Sequence, residues 1–235
     1  MEIYSAIVTF FQNGGAFMYP IVLIAALGVA IAVERWLFLT MTMAKNKALW
    51  SAVTPYLKSG NLAGAMQVTS KSDAAIAQIM TYGLNRVRSA RRREDVEQAM
   101  EESLMEILPR LEKRTHYLAT FANMSTLAGL LGTIIGLIHA FTAVSNADPA
   151  DKAELLSASI SIGMNCTAFG LMVAIPLVLV HSLLQTKTTE IIDSLEMASV
   201  KFLNAITERA AGDAAPAPRG GGDAPVPHAP VPRRA

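Results

Sequence analysis

The sequence predicts an all-α membrane protein with three transmembrane helices and long cytoplasmic helical extensions. Three observations carry this. Of the 235 residues, 52% are hydrophobic, and they are gathered into blocks. Three blocks are long enough to cross a bilayer, which takes about 20 apolar residues in a helix. The polar stretch between the first two blocks repeats apolar residues at three- and four-residue steps, the period of a helix with one buried face.

The elements follow in chain order. Residues 1–15 hold one charge, Glu2, and the aromatic residues Tyr4, Phe10 and Phe11. They are expected to form an interfacial segment, or simply to leave a few apolar residues at an interface. Residues 16–40 are the first transmembrane helix. Residues 16–33 carry no charge, and Pro20 falls near the start, where a missing N–H is tolerated. Glu34 and Arg35 mark the interface, and Trp36 suits an aromatic belt. No basic region and cleavage site precede this block, so it is expected to stay as an anchor.

Residues 41–116 form a cytoplasmic helical region. Residues 61–67 and 73–82 read as short amphipathic helices, and residues 88–95 as a basic turn opening an acidic helix start. Val96, Met100, Leu104, Ile107 or Leu108, Leu111 and Leu118 then share one face. Only Pro109 interrupts the pattern, so one long helix, kinked at that proline, is expected to run into the second span. Residues 117–144 are the second span, 145–158 a short periplasmic link and 159–185 the third span. Residues 186–211 continue as a C-terminal helix with Ile192, Leu195, Leu203 and Ile206 on one side. Residues 212–235, rich in Pro, Ala and Gly, are expected to be disordered.

Orientation follows from the cations. Residues 45–116 hold 12 Lys and Arg, residues 145–158 hold one, residues 1–15 hold none, and six follow Leu184. The positive-inside rule puts the large connection and the C-tail in the cytoplasm, and the N-terminus and short link in the periplasm.

Composition excludes several functions. A net charge of +1 gives no field for nucleic acid. The single cysteine, Cys166, forms no intrachain disulfide and no cysteine metal cluster. No phosphate loop, metal-ligand spacing or nucleophile triad occurs, so neither an enzyme nor a cofactor is expected.

What remains are two faces of small side chains. On the second span Ala122, Thr126, Gly129, Thr133, Gly136 and Ala140 recur at helical spacing. On the third, Ser159, Gly163, Thr167, Gly170 and Ala174 do the same. The commoner reading is helix packing, since small residues let backbones approach in lipid. The other is an ion path, and one stripe can serve both. Asp, Glu, Lys and Arg are absent from residues 117–147 and 157–185. Charge in hydrocarbon costs several kcal/mol without a partner. A proton carrier would therefore be a carboxylate on another chain, placed between the stripes, with the Thr133 and Thr167 hydroxyls holding it or its water. His139, about 9 Å beyond Thr133 at helical rise, is a candidate outer proton relay, and His181 lies toward the cytoplasmic end. For both, an interfacial or hydrogen-bonded histidine is the commoner explanation. Asn165 calls for a hydrogen-bond partner, and Cys166 reads as a small packing residue.

LLGTIIGLIHAF at residues 130–141, TAFGLMVAIP at 167–176 and AVERW at 32–36 resemble the MotA/TolQ/ExbB family of proton-channel subunits, in its ExbB/TolQ-like branch. The resemblance covers residues 17–209. It implies a homopentamer around a dimer of an ExbD- or TolR-like single-span partner, whose membrane Asp carries the proton. It also implies that Thr133 and Thr167 face that Asp, and that ion flow drives uptake, envelope maintenance or gliding motility from the inner membrane. The chain departs from the pattern at Ile162, where ExbB and TolQ often carry a Glu. The SISIGMNCTAFGL stretch is closer to a branch that includes gliding-motility motors.

Overall fold

The computed structural model describes residues 10, 14–87, 89 and 92–213. They form six helices: α1 (Met18–Ser59), α2 (Leu62–Thr69), α3 (Ala75–Val87), α4 (Arg93–Glu112), α5 (Thr115–Asn146) and α6 (Lys152–Asp213). No strand occurs among the described residues. Three helical stretches, Met18–Ser59, Arg93–Ser145 and Lys152–Thr207, are long and apolar enough to cross a membrane. Residues 1–9, 11–13 and 214–235 lie outside the described residues, so most of the expected interfacial segment and nearly all of the Pro-rich tail fall there. Phe10 is described, and its ring meets Phe169 edge-on with centroids 6.2 Å apart.

Length sets the architecture. The 42 residues of α1 and 62 of α6 measure about 63 Å and 93 Å at 1.5 Å per residue, against a hydrocarbon core of about 30 Å. Both helices must therefore project beyond a bilayer. They do so at the end of the bundle that carries the basic connection, where α2, α3 and α4 pack around them. Gly60 ends α1 in the left-handed conformation (φ 74°), with its N–H on the Leu57 carbonyl and the Asn61 N–H on that of Tyr56. The Asn61 side chain then caps α2 by accepting from the Gly64 N–H at 2.8 Å. Asp95 accepts from the Arg92 N–H at the start of α4.

Two kinds of interior result. The projecting end has a water-soluble type of core. Leu39 and Val53 of α1, Ile79 and Met80 of α3, Met100 and Leu111 of α4, and Leu195 and Phe202 of α6 are almost fully buried there. The face expected on α4 is the one that is used: Val96, Met100, Ile107 and Leu111 are buried, and Leu104 half-buried. The apolar windows of the spans behave oppositely. Leu27, Leu127, Ile138, Phe141, Ile175 and Leu179 point outward, as lipid-facing side chains do when hydrocarbon replaces water.

The long helix expected through Pro109 is broken elsewhere. Pro109 lies inside α4, whose final turn it completes by accepting from the Lys113 N–H. The chain then turns at Arg114, which takes φ 67° before α5 begins. A side chain costs about 1–2 kcal/mol in that region, and contacts from α1 offset it. Glu34 pairs with Arg114 at 3.2 Å. Arg35, only 3% exposed, donates from Nη2 to the Leu111 carbonyl and from Nε to Thr115 Oγ1 at 3.2 Å. The guanidinium also lies over the Phe38 ring at 4.9 Å. Rather than merely marking an interface, Arg35 satisfies a last-turn carbonyl of α4, complements the negative end of its dipole, and holds the first turn of α5. Arg35→Met should lower unfolding stability by about 2 kcal/mol, the worth of hydrogen bonds to a charged group in a buried site. Glu34→Gln, which breaks a half-exposed pair, should cost under about 1 kcal/mol. Thermal unfolding of both variants in one detergent checks the ranking, and equal losses would contradict it.

Candidate functional site

The seam between α5 and α6 gathers the two small-residue stripes. The short link over residues 147–151 makes the helices antiparallel, and their sequences match across it: Gly129, Thr133 and Gly136 on α5 answer Gly170, Thr167 and Gly163 on α6. The backbones touch. A methyl group on Gly129 would lie 3.1 Å from the Thr167 Cα, on Gly163 3.0 Å from the Thr133 Cα, and on Gly170 2.7 Å from the Ser125 carbonyl oxygen. Gly136 sits against Gly163 and the Ser159 carbonyl. Ala140 is fully buried and Ala174 nearly so. Ala122, Ala174 and Leu177 close the seam as a small apolar cluster toward the basic end.

The two threonines meet at the centre. Thr133 Oγ1 reaches the Gly163 carbonyl at 3.0 Å, and Thr167 Oγ1 reaches the Gly129 carbonyl at 3.0 Å. Each hydroxyl thus points to the glycine one turn before the opposite threonine. Thr133 Oγ1 also lies 3.3 Å from its own helix's Gly129 carbonyl, and the two hydroxyls contact each other. Each hydroxyl carries one proton, so only two of these four contacts are donated at once and the proton positions are interchangeable. Both threonines are half-buried.

Not every stripe residue joins the seam. Thr126 is exposed and donates back to the Ala122 carbonyl of its own helix at 3.2 Å. Its neighbour Ser125, absent from the predicted stripe, is fully buried and donates to the Gly170 carbonyl at 3.0 Å. Gly132, also absent from it, packs on Cys166 and Phe17. Spacing admits both positions, since Ser125 and Gly132 flank Gly129 at four and three residues, but it admits Thr126 equally and does not choose between them. Cys166 is buried against Gly132, as a small packing residue is. Asn165 is half-buried. His139 is exposed on α5, away from the threonine pair. His181 lines a separate cavity of about 260 Å³ at the basic end with His116, Glu112 and Thr188.

Tolerance for added atoms differs between this seam and the contact of α1 with α6. Gly170→Ala drives a methyl into backbone, and overpacking of that kind costs about 1–3 kcal/mol. Gly28→Ala meets only the Leu177 side-chain end at 2.7 Å, which can rotate, so it should cost less. Melting temperatures of the two purified variants decide the order, and a Gly28→Ala loss equal to or larger than that of Gly170→Ala would contradict the contact described.

Comparison with known proteins places the chain in a family. The model of the MotA/TolQ/ExbB proton channel family matches residues 71–197, which hold both stripes. An ExbB homolog of Methanothermobacter thermautotrophicus, named as a biopolymer transport protein, is 26% identical over 199 residues, covering 84% of this chain and 69% of its own length. The Tol-Pal system protein TolQ of Haemophilus influenzae is 38% identical over 81 residues, 34% of this chain and 35% of TolQ. The biopolymer transport protein ExbB of Aquifex aeolicus is 31% identical over 80 residues, 34% of this chain and 53% of that protein. The chain belongs to the MotA/TolQ/ExbB proton channel family, in its ExbB/TolQ-like branch. It is a multi-pass membrane protein and not an enzyme.

Proposed function

We propose that this member of the family is the channel subunit of a motor in the inner membrane, driven by the proton gradient. Five copies surround a dimer of an ExbD- or TolR-like single-span protein. The N-terminus and the α5–α6 link lie in the periplasm, and the α2–α4 region and the C-terminus in the cytoplasm. The observation that carries this reading is the paired threonine hydroxyls in spans without carboxylates. Such a seam offers polar groups to a proton but no group to hold its charge, so the carrier is the partner's Asp. Each hydroxyl can keep its bond to a carbonyl or turn its proton to a carboxylate that the partner brings against the seam. The glycines of the seam keep the two hydroxyls in register. The resemblance implies a Glu where this chain has Ile162, which is 40% exposed, and the proposed route runs without that group. His139, exposed and on the proposed periplasmic side of Thr133, is the candidate proton relay at the outer mouth. The work is delivered in the periplasm, as energised transport, envelope maintenance or gliding motility.

The threonine contacts also favour a second reading, in which the chain is a non-conducting scaffold and the hydroxyls only lock two helices. Thr133→Val and Thr167→Val separate the two, because valine keeps the branched shape and removes the proton. In proteoliposomes containing the complex, each valine variant should abolish proton flux while the subunits still co-purify, and each serine variant should retain flux. Full flux in both valine variants would overturn the assignment of the ion path.

A further inference from the structure

The outward side of α5 is not uniformly apolar. Thr126, Asn123, Thr120 and His116 follow one another at steps of three, three and four, and all four are exposed on the protomer. Thr126 turns its hydroxyl back to the Ala122 carbonyl. The side chains of Asn123 and Thr120 have no hydrogen-bond partner among the described residues. Asn123 stands seven residues from His116, about 10 Å at helical rise. An unpartnered amide in hydrocarbon costs several kcal/mol, so this flank meets water or another polar chain rather than lipid. At the basic end the row reaches the cavity of about 260 Å³, where Glu112 of α4, His116 of α5 and His181 of α6 line one space with Gln185, Thr188 and Thr189. Ile192 alone among its described lining residues is apolar. His181 also continues the seam's face of α6, at steps of three and four from Thr167 through Gly170, Ala174 and Leu177. Polar groups on α5 and the seam face of α6 thus lead from the threonine pair to the same two imidazoles.

We propose that this row and this cavity are the exit leg of the proton path on the α2–α4 side, an inference that rests on the channel reading above. The partner's carboxyl group gives its proton to water held along Asn123 and Thr120, whose amide and hydroxyl can each donate and accept. In the cavity a ring nitrogen of His116 or His181 takes the proton, and the imidazolium then releases one to cytoplasmic water. The ring ends neutral and no net charge is left behind. The spacing suits a relay through water. Thr126 to Asn123 and Asn123 to Thr120 are each about 4.5 Å along the helix axis, and Thr120 to His116 about 6 Å, gaps that bridging waters cross. Glu112, the third titratable group of the cavity, adds a negative charge that attracts the arriving proton. The nearby Arg114 is paired with Glu34 at 3.2 Å and is not among the lining residues.

Proton flux in proteoliposomes holding the complex with its partner tests this. His116→Gln combined with His181→Gln should lower the flux about a hundredfold, the low end of what a placed acid–base group contributes, while the subunits still co-purify. Glycylhistidine, an imidazole dipeptide too polar to cross a bilayer, should restore most of that flux when supplied on the α2–α4 side and none of it from the other side. It should not restore Thr133→Val, whose defect lies before the exit. Where the double histidine variant no longer co-purifies, Asn123 carries the test: Asn123→Leu should lower the flux without rescue by the dipeptide, and Asn123→Ser should retain it. Full flux in the double histidine variant, or in Asn123→Leu, beside a flux that Thr133→Val stops, would overturn the exit leg and leave the channel reading intact. A loss in the histidine variant that the dipeptide does not restore would make those side chains structural and would also overturn the proposal. An unmodified complex that carries no protons would overturn both the exit leg and the channel reading.

Discussion

The contact on which the rest depends is the backbone-to-backbone approach of α5 and α6. In lipid, two apolar helices gain nothing from leaving water, so close packing and hydrogen bonds must hold them. The matched glycines supply the first, since each faces backbone that a methyl group would strike. Ser125, Thr133 and Thr167 supply the second, each reaching a carbonyl of the opposite helix. Once the seam is fixed, the remaining surfaces of both helices are free to be apolar and outward-facing. The projecting end of α6 is aimed by the same contact into a core that needs no membrane.

The projecting core and the seam are joined at one place, Arg35. A guanidinium that is nearly all buried and still finds a carbonyl, a hydroxyl and an aromatic face couples α1 to the α4–α5 turn. Through that turn, the orientation of α5 is tied to the helices outside the membrane. A displacement of the seam in the proposed motor would thereby bear on the projecting end. Moving one charge through 100 mV releases about 2.3 kcal/mol, comparable to the hydrogen bonds that hold such a junction. The energy of one ion is thus on the scale of the contacts it would rearrange.

Much of this was legible in the sequence, and the failures have physical causes. Apolar length and charge asymmetry are local properties, and both mark the spans. The stripes were legible because glycine and threonine recur at helical spacing. Their exact phase was not: Ser125 and Thr126 lie four and three residues from Gly129, and only the crossing of α6 selects Ser125. Arg35 read as an interface charge because its partners, Leu111 and Thr115, lie 76 and 80 residues away. The break at Arg114 carries no glycine or proline to announce it, and the contact with Glu34 that accompanies it is equally distant in the chain. The burial of Asn46 was hidden for the same reason, since it meets Ile76 only after folding.

Spans without a carboxylate make the account depend on a second chain. Native mass spectrometry of the complex, extracted with the products of neighbouring genes, tests that dependence most directly. The account predicts five copies of this chain with two of a small single-span protein whose membrane helix contains Asp. This chain alone, or with subunits that lack any intramembrane carboxylate, would leave the proton without a carrier and contradict it.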